Sequence, residues 1–357
     1  MYQSLYRKYR PKNFDEVVGQ NTITKTLKNA IEYNKISHAY LFTGPRGTGK
    51  TSTAKILAKI VNCEHLDNYN PCEKCVNCTQ YNKKQAIDII EIDAASNNGV
   101  EEIRELKSKI SLAPTYGKYK VYIIDEVHML STGAFNALLK TLEEPPSHVI
   151  FILATTEPYK IPITILSRCQ RFDFKKINND DIVKRLRQIV NLEGIHIEDD
   201  ALNAIASLSD GGMRDSLSLL DQAISYSNDK ITLEDIHEIN GTITPVEIND
   251  FFKQINLKNY ETVFKKIDDY NQSGKDFYKL TEEVILYLRD LLLNNLIQNN
   301  TSKVDDLFLT KENIINYIEK FNDSLFEIKN TNNMKLIFEL TIIKLIDLDY
   351  LGNITHI

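Results

Sequence analysis

Residues 44–51 read Gly44-Pro45-Arg46-Gly47-Thr48-Gly49-Lys50-Thr51, a match to G-x-x-x-x-G-K-[ST]. The apolar run Ala39-Tyr40-Leu41-Phe42-Thr43 precedes it, and a helical stretch from Thr51 to Val61 follows. No other feature constrains the fold as strongly. A strand must end in a Gly-rich turn and hand over to a helix whose positive N-terminal end faces an anion. The glycines let successive backbone N–H groups turn inward around phosphate oxygens. Lys50 is then placed to reach the β- and γ-phosphates, and the Thr51 hydroxyl to bind Mg²⁺.

A companion motif lies further along. Val121-Tyr122-Ile123-Ile124 is an apolar strand that places Asp125 at its carboxyl end, where open α/β sheets bind ligands. Asp125 is a candidate Mg²⁺ ligand, and Glu126 a candidate general base that polarises an attacking water. Together with the phosphate loop, these two acids point to hydrolysis of ATP rather than storage of a nucleotide. Thr155-Thr156 ends the strand Val149 to Leu153 and is a candidate contact for the γ-phosphate or the water. Arg214 opens a helix after Gly211-Gly212, from which a small domain can fold over the nucleotide.

The near-continuous apolar strands, together with the strand-like run Ile87, Ile89, Ile90, Ile92, fit a parallel sheet covered by helices on both faces. After about Lys176 the pattern becomes helical, with amphipathic stretches over Asp180–Leu192, Asp199–Leu208 and Met213–Tyr226. Beyond Pro245, Phe277, Leu280, Val284, Leu288, Leu291 and Ile297 share one helical face, and Phe338 to Leu348 supplies another stripe. The expected class is α/β plus all-α, in three domains over residues 1–176, 177–241 and 242–357. The 357-residue length agrees with that number at roughly 100–200 residues per domain.

Composition narrows the function. Lys and Arg number 43 against 49 Asp and Glu, a net charge of −6, so nucleic acid is not bound through global charge. No apolar run approaches the ~18–20 residues that span a bilayer, and the basic start, interrupted by Pro11, lacks a signal-like apolar segment. A cytoplasmic location is expected. In such a compartment the clustered Cys63, Cys72, Cys75 and Cys78 read as a closed tetrahedral Zn²⁺ site. An iron–sulfur cluster is the chemical competitor, and His65 is an alternative fourth ligand to Cys63.

Several further motifs now fall into one order. Tyr6-Arg7-Lys8-Tyr9-Arg10-Pro11 with Phe14-Asp15-Glu16-Val17-Val18-Gly19-Gln20, His38-Ala39-Tyr40-Leu41-Phe42 before the phosphate loop, and the four-cysteine insertion after its helix come first. Leu139-Lys140-Thr141-Leu142-Glu143-Glu144-Pro145-Pro146, Ser167-Arg168-Cys169 and Gly212-Met213-Arg214-Asp215-Ser216-Leu217 complete the set. The chain resembles the bacterial DNA polymerase III gamma/tau subunits, ATPases of the replicative clamp loader, densely from Tyr6 to about Gly241. The resemblance implies an AAA+ ATPase domain whose N-terminal signature lines the adenine pocket, a helical lid and a collar that assembles a pentamer. It implies Thr156 as first sensor, Arg214 as second sensor, and Arg168 as an arginine finger for a neighbouring subunit. Cys169 then belongs to the Ser-Arg-Cys motif rather than to the zinc site. The implied partners are delta, delta-prime and further copies of itself, the sliding clamp and primer–template DNA, with no membrane.

The stretch Asn333 to Leu340 is only similar to the family's collar pattern, with Lys335 where Arg is expected. The length leaves no room for the long tau extension, so a gamma-like product is expected. A non-hydrolysing delta-prime-like subunit shares the Ser-Arg-Cys motif and the cysteines but would carry a degenerate phosphate loop. An archaeal-type small subunit fits the ATPase and not the cysteine insertion. A helicase is suggested by Asp125-Glu126-Val127-His128, although no further helicase motif is seen.

Overall fold

The structure is a computed structural model that describes residues 2–101, 108–227, 229–297 and 310–354. These divide into two compact units, residues 1–224 and 225–357.

The first unit is built on five parallel strands, β1 (Ala39–Thr43), β2 (Ile89–Asp93), β3 (Lys120–Asp125), β4 (Val149–Thr155) and β5 (Gln170–Asp173). Their order across the sheet is β2-β3-β4-β1-β5. β1, β3 and β4 are central, and their apolar runs are buried on both faces. Tyr40, Phe42, Val121, Ile123, Ile150 and Ile152 face one side, against Leu27 of the helix Asn21–Glu32 and Leu57 and Ile60 of the helix Lys50–Val61. The intervening residues Leu41, Tyr122, Ile124, Phe151 and Leu153 face the other side, against Phe135, Leu138 and Leu142 of the helix Thr132–Glu143. The two-residue alternation of a strand divides one continuous apolar run between two cores. Each fully buried side chain of this size is worth about 1.5–3 kcal/mol of transfer free energy.

Register matters for function. Thr43 pairs with Thr155, and Ile124 with Leu153, so the phosphate loop, Asp125 and Thr155 emerge at the same carboxyl edge. β4 lies between the strand that feeds the loop and the strand that ends in Asp125.

The strand-like run starting at Ile87 shortens in the structure: β2 begins at Ile89, and Ile87 is exposed. Asp88 explains the change. Its buried carboxylate accepts the backbone N–H groups of Thr115, Tyr116 and Gly117 at 2.7–2.8 Å, taking it out of the alternation. Burial would raise the Asp88 pKa, yet these three bonds hold it below the usual carboxylate value.

The three expected helices after Lys176 form as Asn179–Glu193, Asp199–Leu208 and Met213–Tyr226. Asn178 caps the first by accepting Asp181 N at 2.7 Å, and Gly194 ends it in the left-handed conformation.

The second unit is helical, over Leu233–Asn240, Pro245–Asn256, Tyr260–Gln272, Phe277–Ile297, Lys311–Lys329 and Met334–Ile354. Phe277, Leu280, Val284 and Leu288 enter its core with Phe251, Phe252, Tyr317, Phe321 and Phe338, as their spacing predicts. The side chains of Ile297 and Leu348 lie outside those described. No helix among the described residues is long and apolar enough to cross a membrane.

Candidate functional site

The phosphate loop owes its shape to glycine. Gly44 has φ +135°, and a Cβ there would meet Phe174 O at 2.3 Å, so no other residue fits between β1 and the chain leaving β5. Gly49 precedes the helix Lys50–Val61 with φ +102°, and Thr48 Oγ1 donates to Pro45 O at 2.8 Å. The buried Lys50 lies over this loop, with Nζ donating to Gly44 O and Pro45 O at 2.7 Å each. Burial lowers its pKa, and the charges of Glu126 and Asp125 oppose that shift.

The two motifs separated in sequence meet directly. Thr51 Oγ1 donates to Asp125 Oδ2 at 2.7 Å, and Asp125 Oδ1 accepts Glu126 N at 3.0 Å. Glu126 itself adopts φ +46°, an unfavourable backbone for a side chain with a Cβ. Thr156 Oγ1 donates to Glu126 Oε2 at 3.2 Å. Thr155 is instead fully buried, with its hydroxyl bonded to the His128 ring, so of the two threonines only Thr156 reaches the acid.

One cleft joins these groups. Arg46, Gly47, Thr48, Gly49, Lys50, Thr51, Asp125 and Glu126 line it, while Gly44 and Pro45 are not among its lining residues. Tyr6, Tyr9, Arg10, Pro11, Val17 and Val18 form one wall, and Ile177, Arg185, Met213, Arg214 and Leu217 another. Met213 N donates to Gly47 O at 3.1 Å, and Gly47 lies so close to the start of this helix that a Cβ on it would meet Gly212 Cα at 3.0 Å. The helix Met213–Tyr226 thus starts on the phosphate loop. The Arg214 guanidinium lies 5.1 Å from the centre of the Tyr6 ring, a cation–π distance. Asp221 on the same helix accepts Leu5 N at 2.8 Å and Tyr2 Oη at 2.6 Å, tying the N-terminal segment to it.

Arg185 and Ile177 lie outside every motif of the sequence, whereas Met213 and Leu217 belong to the stretch that carries Arg214. Arg185 carries only the spacing of the helix Asn179–Glu193, which does not distinguish a core face from a cleft wall, and Ile177 lies between β5 and that helix, where no periodicity applies. Arg168 is not in the cleft. Its guanidinium donates to Glu143 Oε1 and Thr164 O at 2.7 Å and to Ser167 Oγ at 3.0 Å, and the side chain is one-third exposed.

The four clustered cysteines converge. The sulfurs of Cys63, Cys72, Cys75 and Cys78 all lie within 4.8 Å of one another. Cys63 Sγ accepts Cys72 N, Cys72 Sγ accepts Cys75 N and Cys75 Sγ accepts Cys78 N, at 3.3–3.4 Å. Backbone N–H groups directed at sulfur favour the thiolates that soft metal ions need, so this donor set fits Zn²⁺. His65 is not in the cluster; its carbonyl accepts from the Cys63 thiol at 3.4 Å. Lys59 Nζ, at the far end of the phosphate-loop helix, donates to Glu73 Oε1 at 2.5 Å inside the cysteine loop. Cys169 sits apart, and burial pushes its thiol up to about 12.

Comparison with known proteins follows the same division of the chain. The family described as "DNA polymerase III, delta subunit" matches residues 19–178, and that described as "DNA polymerase III clamp loader subunit, ATPase lid domain" matches residues 181–229. The DNA polymerase III subunit gamma of Buchnera aphidicola subsp. Baizongia pistaciae is 38% identical over 345 residues, covering 96% of this chain and 90% of that protein. The chain belongs to the DNA polymerase III gamma/tau family. The subunit tau of Bacillus subtilis is 51% identical over 355 residues, and that of Escherichia coli 44% identical over 284. These alignments cover 96% and 80% of this chain but 63% and 44% of the two relatives, so the chain spans about half to two-thirds of their length. Two mutant forms of Thermotoga maritima RuvB share the fold at a TM-score of 0.50, with 20% and 21% identity, 69% of this chain and 79% of theirs being covered. The gamma/tau family and the five-stranded parallel order agree with the expected AAA+ P-loop fold.

Proposed function

We propose that this chain is an ATP-hydrolysing subunit of a replicative clamp loader, driving placement of a sliding clamp on primer–template DNA. The observation that carries the reading is the Thr51–Asp125 hydrogen bond beside Glu126 and Lys50, in a chain of the gamma/tau family. The partners in this reading are delta, delta-prime, other copies of the chain and the clamp, in the cytoplasm. The domains are the ATPase domain (1–176), the lid (177–241) and a collar for assembly (242–357).

In this site Gly44 to Thr51 cradle the phosphates, and Lys50 exchanges its loop carbonyls for phosphate oxygens. Thr51 and Asp125 would hold Mg²⁺, which would supply charge neutralisation at those oxygens. Glu126 takes a proton from the attacking water, and Thr156 orients its carboxylate. Arg214 senses the nucleotide from the lid. Arg168 leaves Glu143 to meet the phosphates of a neighbouring subunit. Cys63, Cys72, Cys75 and Cys78 would hold a structural Zn²⁺, four protein ligands being enough to close such a site. The match to a delta-subunit family favours one second reading, a structural subunit that does not hydrolyse ATP. The complete set Lys50, Thr51, Asp125 and Glu126 argues for the first.

Glu126→Gln is expected to keep ATP binding and to lose hydrolysis by ~10²–10⁴-fold, the usual contribution of a positioned base. Hydrolysis at the wild-type rate in a steady-state assay with clamp, partner subunits and primed DNA contradicts the assignment. For the cysteine loop, elemental analysis should give one zinc per chain, and Cys75→Ser should release it. Iron, or no metal, rejects the zinc site. For Arg168, loss of a finger of this kind costs about 10³–10⁵-fold. Arg168→Ala chains and Lys50→Ala chains should each hydrolyse ATP poorly, and mixing them should restore activity at shared interfaces. Full activity of Arg168→Ala alone, or no recovery on mixing, removes the role in trans.

A further inference from the structure

The left-handed backbone of Glu126, φ +46°, is one that a residue with a Cβ keeps only when its surroundings hold it. The turn that follows it, Val127–Met129, carries His128, whose side chain is 7% exposed. Both ring nitrogens are engaged. Nε2 lies 3.0 Å from Glu157 Oε2, and Nδ1 lies 3.0 Å from Thr155 Oγ1 and 3.5 Å from Glu126 Oε2.

The partners fix which nitrogen carries the proton. Tyr159 and Lys160 also donate to Glu157, and these bonds hold its carboxyl below the usual range. An ionised carboxylate only accepts, so Nε2 is the donor to it. In the neutral ring Nδ1 then accepts the Thr155 hydroxyl proton, while Thr155 Oγ1 accepts Glu157 N at 3.0 Å. In this tautomer both ring nitrogens are hydrogen-bonded, Nε2 to Glu157 and Nδ1 to Thr155, and the 3.5 Å approach of Nδ1 to Glu126 Oε2 is a contact rather than a hydrogen bond. The ring is therefore fixed in plane and tautomer, wedged between β4's end and the turn that bears Glu126.

We infer that His128 is a positioning residue for Glu126, pinning the left-handed turn after β3 to Thr155 and Glu157 so that the Glu126 carboxylate faces the cleft. The inference rests on the reading of Glu126 as the base. Glu157 opens the segment that leads to Arg168, so the same ring joins the turn bearing Glu126 to that segment. A displacement of about 1 Å in a catalytic group can cost on the order of 10²-fold in rate, without any change in the ligand-binding loop.

The test is steady-state ATP hydrolysis and equilibrium ATP binding by the full chain assembled with its partner subunits. His128→Leu keeps the volume of the ring and removes both hydrogen bonds. It should lower kcat about 10–100-fold with ATP affinity unchanged, and Glu157→Leu should do the same. Glu157→Gln, which can still hydrogen-bond the ring, should recover most of the rate. Added to Glu126→Gln, His128→Leu should cause no further loss, because the carboxylate it positions is already gone. Wild-type kcat in His128→Leu overturns the inference, as does a parallel fall in affinity and melting temperature in both His128→Leu and Glu157→Gln, which would mark a purely structural role. If Glu126→Gln alone retains hydrolysis, the reading of the base fails, and that result is separate from either outcome for His128.

Discussion

The hydrogen bond from Thr51 Oγ1 to Asp125 Oδ2 is the point on which the site depends. It joins the first turn of the phosphate-loop helix to the end of β3 across 74 residues of sequence. The bond forms because the sheet order places β4 alone between β1 and β3, and because all three strands end at one edge. In the proposed function, this hydroxyl and carboxylate, held 2.7 Å apart beside a buried ammonium, would receive a metal ion and phosphate oxygens. Both cores of the sheet serve to keep that edge in register.

Close backbone approach sets the other limits of the cleft. Gly44 presses against Phe174 O, and Gly47 against Gly212 Cα, with Met213 N bonded to Gly47 O. The phosphate loop is thereby clasped between β5's exit and the first residues of the helix that carries Arg214. That helix is hydrogen-bonded to the loop through Met213 N and to the N-terminal segment through Asp221. At the opposite end of the phosphate-loop helix, Lys59 and Glu73 tie it to the cysteine loop. Nucleotide site, lid and cysteine loop thus share a single helix and its flanking turns as a scaffold.

Much of this was legible in the sequence because it is local. The apolar runs at Ala39–Thr43, Val121–Ile124 and Val149–Leu153 are strands of the expected sheet, and the helices after Lys176 begin and end within a residue or two of their patterns. The phosphate loop and the four cysteines were readable because their spacing is itself the geometry. Contacts made between distant side chains left no such mark. The left-handed Glu126, the ring of His128 between Thr155 and Glu157, and the cleft positions of Arg185 and Leu217 depend on tertiary packing, which periodicity does not encode. Ile87 shows the converse. Its alternation reads as a strand, but Asp88 beside it is committed to capping residues 115–117.

The central claim is that Thr51, Asp125 and Lys50 form one metal–nucleotide site, and calorimetric titration of ATP into the full chain, with and without Mg²⁺, tests it directly. Wild-type protein should bind ATP more tightly with Mg²⁺ than without. Thr51→Val, which keeps the side-chain shape and removes the hydroxyl, should erase that difference, and Lys50→Ala should bind in neither condition. Mg²⁺-dependent binding by Thr51→Val equal to that of the wild type, or nucleotide binding that survives Lys50→Ala undiminished, would contradict the account.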